Sequence, residues 1–503
     1  MEQVQLWFQP FRRRKGFDRE GPPPSSATYE GKLVRLCRQH FCDICNIPER
    51  AKLQGFRGGN LEVKLMLHRT PSLWEERRFY LGHLVSVQFV EQRRGVVGDE
   101  GLEFDTSRTN AVVYDFGEGA ILVDPGVMGA FGAEHRLAQI TGGRKIVITL
   151  VSHGHLDHLE ALGESKGPAY MTRLAFQLAS RHAALEGNDE MVAALSRARM
   201  VIPGEQILMN ALPLKIETFL LPHSIPETMG FVIKGRRKRV VHLGDFRFNG
   251  MTSGPKFATI GRLQEIAKEP VDLVAMTIFN AHVGGFAQIE DSVVNSLCEI
   301  IWKSEGIVAI SCFSTNLKRI ERIAERTRLM GKQVRFVGSG MENARGLIEF
   351  ETEPGDSEKA VIFVTGCQAE EGSVLWRIAN NQNPPLELRQ DDTLVFSSRC
   401  IPGTGNESRL SGLYARLRPQ IGRLIVNRGE VAHLGLHELG LEDSLTHVSG
   451  HENREGLKLA LEILRPKKVL CWPQVSPQID SFREICEELG IELLDESERV
   501  IEI

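Results

Sequence analysis

The chain has 503 residues, 42% of them hydrophobic and 25% charged, with a formal net charge of −4 at pH 7. That length exceeds one ordinary core and predicts two or three domains, and average usage of this kind excludes a disordered, fibrous or disulfide-stapled chain. The mild acidic balance excludes a global positive field, so any nucleic-acid site has to be local.

No apolar run is long enough for a signal peptide or a membrane span, which predicts a cytoplasmic protein without membrane contact. The nine cysteines are an odd number. Six of them lie in apolar segments, as reduced core thiols do.

In chain order, residues 1 to 30 contain "GPPPSS", which cannot hold a helix and reads as a tail or linker. Cys37, Cys42 and Cys45 follow as C-x4-C-x2-C. They are either part of an accessory zinc site completed by His40 or His68, or thiols packed inward on a short helix. From Phe79 to Gly126 the sequence reads as short strands, with Gly117 and Gly119 at a turn. "KIVITLVS" is a buried strand whose C-terminal end delivers "HGHLDH", the end at which open α/β sheets place ligand chemistry. "TRLAFQLASRHAALEG" has helical spacing, and "GFVIKGRRKRVVHLGDF" reads as a hairpin ending in Asp245. Between 255 and 430 strands alternate with helices, the pattern of a parallel sheet flanked by helices. The last part returns to a polar loop, a helix and a strand, so a second α/β domain is expected inside the first.

His153 and His155 lie just past the strand end, where both rings can reach one ion, and Asp157 and His158 follow at a spacing suited to a second. Imidazoles with a carboxylate are the ligand set of hydrolytic zinc, which lowers the pKa of water to about 7.

"HGHLDH" resembles the signature of the metallo-β-lactamase fold. "LPHSIPETMG" around His223 and "HLGDF" around Asp245 match later motifs in family order, and "DPG" at Asp124 resembles the first, whose Asp buttresses the site. The resemblance implies an α/β αββα sandwich. It also implies one ion on His153, His155 and His223, another on Asp157 and His158, and Asp245 bridging them.

"FSTNLKRIERIAE", "VTGCQAEEGSVLWRIA", "DTLVFSSRCIPGTG" and "THVSGHENREGLKLALEILRPKK" resemble the β-CASP module, that of the ribonuclease J family in particular. This implies an inserted β-CASP domain at 253–430, with 1–80 an accessory region and 81–252 and 431–503 the two parts of the metallo-β-lactamase domain. The implied reaction is hydrolysis of RNA phosphodiester bonds by metal-activated water, with one or two zinc ions, or magnesium or manganese. Asp157 and His451 would be catalytic, His451 as proton donor or phosphate ligand, with His447 and Ser449 flanking the phosphate. A homo-oligomer is one expected state.

Backbone amides at Ser314 to Asn316 and Gly338 to Gly340 either cradle phosphates or are plain strand-to-helix turns. Basic residues on a helix expected over 317–335 (Lys318, Arg319, Arg322, Arg326, Arg328, Lys332, Arg335) and in "KGRRKR" are either solvated faces or an RNA track.

Two positions depart from the family pattern. Thr277 stands where relatives place an acidic residue, and Trp472 where they place the last metal-binding histidine. The open outcomes are a one-metal hydrolase, a two-metal enzyme in which Cys471, Gln474 or His242 substitutes, and an RNA-binding pseudoenzyme. A small-molecule metallohydrolase is a further alternative.

Overall fold

A computed structural model describes residues 5–10, 52–53, 61–66, 75–81, 85–91, 109–126, 136–209, 214–248, 255–348, 356–400, 406–495 and 500–503. Cys37, Cys42 and Cys45 lie outside them. The chain divides into two compact units, Met1–Phe104 with Ser180–Val192, and Asp105–Ala179 with Ala193–Ile503. The first unit carries a five-stranded sheet in the order Lys52–Leu53, Gln5–Pro10, Leu61–Met66, Val85–Glu91, Glu75–Leu81.

In the second unit two sheets pack face to face. A six-stranded sheet runs Arg199–Met200, Ala169–Met171, Ile146–Leu150, Ala120–Val123, Val112–Asp115, Val500–Glu502. A seven-stranded sheet runs Gln206–Ile207, Lys215–Leu220, Met229–Lys234, Arg239–Gly244, Leu273–Thr277, Lys468–Trp472, Glu492–Leu493. Alternate residues of both sheets, among them Tyr114, Ile121, Ile148, Leu150, Phe231, Val240, Ala275, Leu470 and Trp472, fill the core between them. The opposite face of the seven-stranded sheet is covered by helices Pro255–Ile266, Arg454–Leu464 and Gln478–Leu489. Their apolar residues recur at helical spacing, as in Leu457, Leu461 and Leu464.

A third sheet is wholly parallel, in the order Lys332–Val337, Asp356–Val364, Val308–Cys312, Thr393–Ser397, Arg423–Asn427, Glu442–Ser444. Helices cover both faces, Glu290–Lys303 and Leu317–Leu329 on one and Val374–Ala379 and Asn406–Leu417 on the other. Burial on both faces explains why "VAISC" and "TLVFS" are continuously buried runs rather than alternating ones.

The expected alternation from 255 onward thus has two origins. Leu273–Thr277 pairs with Arg239–Gly244 and Lys468–Trp472 in the seven-stranded sheet, whereas Glu442–Ser444 pairs in the parallel sheet. We propose that the inserted domain begins between Thr277 and Glu290 and ends between Ser444 and Arg454, in place of 253 and 430.

The basic stretch is also corrected. Its helix ends at Leu329, and Gly331, with φ +74°, turns the chain so that Lys332 and Arg335 lie on a strand. Arg319 is fully buried and belongs to neither a solvated face nor an RNA track. Its guanidinium donates to both oxygens of Glu290, to the Ser397 carbonyl (3.1 Å) and to His447 Nδ1 (3.1 Å). Arg247, also buried, donates to Glu290 Oε2 (3.1 Å) and to the Ser449 carbonyl (2.7 Å). Burial works to raise the Glu290 carboxyl, but the two guanidiniums hold it at about 2.

Removing one member strands a buried charge. Arg319→Ala should therefore cost about 3–5 kcal/mol, read as a lower denaturant midpoint with an unchanged slope; a loss below about 1 kcal/mol, the size expected of an exposed pair, would contradict this role.

Candidate metal centre

The centre forms where strand ends meet. Ile146–Leu150 runs into His153 and His155, a short helical turn Leu156–His158 carries Asp157 and His158, and Arg239–Gly244 runs into Asp245. His223 follows the end of Lys215–Leu220. One side-chain donor each from His153, His155, His223 and Asp245 lie within 4.8 Å of one another.

Hydrogen bonds outside the cluster set which nitrogen faces it. Ser152 Oγ is 2.6 Å from Asp124 Oδ2 and must donate to it, so it accepts from His153 Nδ1 at 2.8 Å. His153 Nε2 is thereby left with its lone pair toward the centre. His223 Nδ1 donates to the Gly450 carbonyl (2.8 Å), which likewise turns its Nε2 inward. His155 Nδ1 lies between them, 2.9 Å from His153 Nε2 and 3.3 Å from His223 Nε2. Donors about 2.0–2.1 Å from a tetrahedral ion lie about 3.3 Å apart, so the three nitrogens fit one ion. Asp245 Oδ1 is buried without a hydrogen-bond partner, as is His451 Nδ1, and the two stand 3.7 Å apart.

The electrostatics agree. Burial, reinforced by the neighbouring imidazoles, pushes His153 well below its ordinary range. Burial also lowers His223 well below that range and takes His155 from 6.5 to about 4. Burial works against the Asp245 carboxylate, yet His451, His158 and His223 hold it well below the usual range. Three neutral imidazoles and one carboxylate are the protonation states that ligands of a divalent ion need. His158 is different: burial opposes its charge, but Asp157, Asp245 and Asp124 push it well above its ordinary value.

Asp124 is buried beneath the centre. It accepts from the Ser152 amide (2.7 Å) and from His158 Nδ1 (3.0 Å) and does not join the cluster. Asp157 and His158 do not join it either, although His158 Nε2 is 3.3 Å from Asp245 Oδ2. The three residues considered as substitute ligands for the second ion make the following bonds. His242 Nδ1 is 2.9 Å from the Tyr114 hydroxyl, and Gln474 donates to the Leu494 carbonyl (2.8 Å) and lies against Cys471. Thr277 donates to the Gly244 carbonyl (3.1 Å), next to Asp245.

His451 arrives on the loop after Glu442–Ser444. Its backbone is fixed by Ser449 Oγ and Asn280, and its ring packs on Phe279 with centroids 4.5 Å apart. Gly450 is required here, because a Cβ would stand 2.7 Å from the His223 ring. His447 Nδ1 accepts from Arg319 and lies 3.2 Å from the Ser397 carbonyl, and Asn316 is buried beside Ser224 and Arg319. Ser314 is half-buried, with its hydroxyl beside Gly340. Sequence reading missed Ser152, Asn110, Arg247 and Glu290. Only Ser152, adjacent to the histidine motif, carried a local signal.

These sheets and this site define a metallo-β-lactamase-type domain with a β-CASP insertion. Residues 120–260 match the Beta-lactamase superfamily domain and residues 305–414 the beta-CASP domain of Ribonuclease J. The chain is ribonuclease J-like. Ribonuclease J of Sinorhizobium meliloti is 31% identical over 373 residues, 69% of this chain and 60% of that one. Ribonuclease J of Thermus thermophilus is 26% identical over 65% of this chain and 58% of that one. The chain therefore spans about three fifths of the length of these relatives. A solved structure of a protein of unknown function from Enterococcus faecalis shares a TM-score of 0.47 at 13% identity, over 76% of this chain and 94% of that one. Among the described residues no helix is long and apolar enough to cross a membrane.

The lowered histidines fix the sign of one pH dependence. Below about 6.5 the unfolded chain binds more protons than the ion-free folded chain, so stability falls as pH drops through about 4. His158, raised, acts in the opposite sense, so the comparison needs a variant. The fall in denaturation midpoint across that window should be steeper in ion-free wild type than in His155→Ala; equal slopes would contradict it.

Proposed function

We propose that the chain hydrolyses RNA phosphodiester bonds at a divalent ion held by His153, His155, His223 and Asp245. The observation that carries this reading is the convergence of those four donors beside the unpaired His451 Nδ1. The ion, zinc in our reading with manganese or magnesium as alternatives, supplies Lewis acidity that brings the pKa of an attacking water near 7.

The chain's own residues do the rest. Asp157, whose side chain is 39% exposed, takes the proton of the water. His451, lowered chiefly by burial, is neutral at ordinary pH and serves as a hydrogen-bond donor to a phosphate oxygen or to the leaving oxygen. Arg399 is exposed, donates to Asn280 (3.3 Å) and acts on His451 by its charge, so it places a cation where a phosphate backbone would lie. Ser449 shapes the loop that presents His451. Asn316, at the start of the helix Leu317–Leu329, and His447, on the loop itself, support it from the β-CASP side, and Ser314 remains near enough to the surface for a phosphate. RNA as the substrate class is supported by the name of the relatives, and the parallel domain beside the centre supports a polymeric substrate over a small molecule. The soluble composition supports a cytoplasmic location.

Incubating 5′-monophosphorylated RNA with the full chain and zinc, manganese or magnesium tests the proposal. Wild type should cleave and His155→Ala should not. RNA binding without turnover in every ion would instead make the chain a binding protein. His451→Ala should slow cleavage by about 10²-fold or more with unchanged metal content; loss of the ion in that variant would make His451 a ligand instead.

A further inference from the structure

The residues expected to hold a second ion do not present an open position. Trp472 ends the strand Lys468–Trp472, buried between the sheets, and its indole Nε1 donates to Asn110 Oδ1 at 2.8 Å. An indole N–H can only donate, so this bond fixes which end of the Asn110 amide is oxygen. The NH2 end therefore points at Asp157 and His158. It lies 2.9 Å from the Asp157 carbonyl, 3.1 Å from Asp157 Oδ2 and 3.1 Å from His158 Nε2.

From these contacts we infer that Asn110, clamped by Trp472, occupies the second ion's place, so that this chain binds one ion where its fold has room for two. The inference rests on the reading of His153, His155, His223 and Asp245 as the first ion's ligands.

An imidazole nitrogen has a single lone pair. His158 Nδ1 already donates to Asp124, so a ligand bond would have to use Nε2, against which the Asn110 amide is seated. If His158 is protonated, Nε2 has no lone pair at all. In neither state can it accept an ion without displacing Asn110. Displacement is opposed from three sides. The Asn110 backbone amide donates to the Gly126 carbonyl (3.2 Å), and Thr109 Oγ1 donates to the same carbonyl (2.7 Å). Gly126 lies so close under the Asp157 carbonyl that a Cβ would stand 1.5 Å from it. Asn110 itself is 2% exposed. Without Trp472 the amide would lose the bond that orients it. With a histidine there, the strand end would offer a donor to an ion instead of a donor to an amide.

The consequence for chemistry is a substitution of kind. A neutral amide, rather than a second cation, positions Asp157 and His158.

Metal content per chain, measured by elemental analysis after saturation with zinc and dialysis, tests this. Wild type and Asp157→Asn should both hold one ion, and His155→Ala none. The double variant Asn110→Ala/Trp472→His should rise to two. Wild type holding two ions and Asp157→Asn one would overturn the inference, as would a folded double variant that stays at one. Wild type holding none would overturn the reading of the first centre as well, which separates that failure from the failure of the clamp.

Discussion

A carboxylate with one oxygen left unpaired in a protein interior is tolerable only where positive charge is supplied beside it. Asp245 is that group, 3% exposed, with His158, whose charge its acidic neighbours favour, 3.3 Å away. Three of the centre's imidazoles are each turned by a bond to something further out. Ser152 and Asp124 turn His153, the Gly450 carbonyl turns His223, and Asp124 turns His158. The strand ends supply positions, and these outer bonds supply orientation.

The second layer of the design joins the two domains. Glu290, buried between Arg319 and Arg247, ties the first helix of the parallel domain to the backbone of the loop that carries His451. Glu452 adds a further tie by accepting from the amides of Ala287 and Asn453. Energy invested in these buried charges does little for net stability, since an apolar replacement of equal shape would do as well. What they fix is the placement of one loop against Asp245.

How much of this could be read in the sequence depended on distance along the chain. His153, His155, Asp157 and His158 are legible because they share one strand end, and Asp245 because a hairpin with a short turn leads to it. The parallel sheet flanked by helices follows from the alternation of strands and helices, whereas the αββα sandwich follows only from the resemblance of the motifs. The proposed domain limits differ from those the sequence suggests because Leu273–Thr277 looks like any buried parallel strand, and only its partners reveal which sheet it joins. Arg319 sits in a run of basic residues and was indistinguishable from its exposed neighbours until Glu290, 29 residues earlier, was found against it. Trp472 could be seen as a missing ligand, but not as the holder of Asn110.

That last pair also bears on the order in which the molecule matures. Asn110 and Trp472 are 362 residues apart, and His223 and Gly450 are 227 apart. Long closures of this kind form late, because their entropy is lost before their contacts are gained. On a growing chain the histidine motif is therefore complete long before either tie exists.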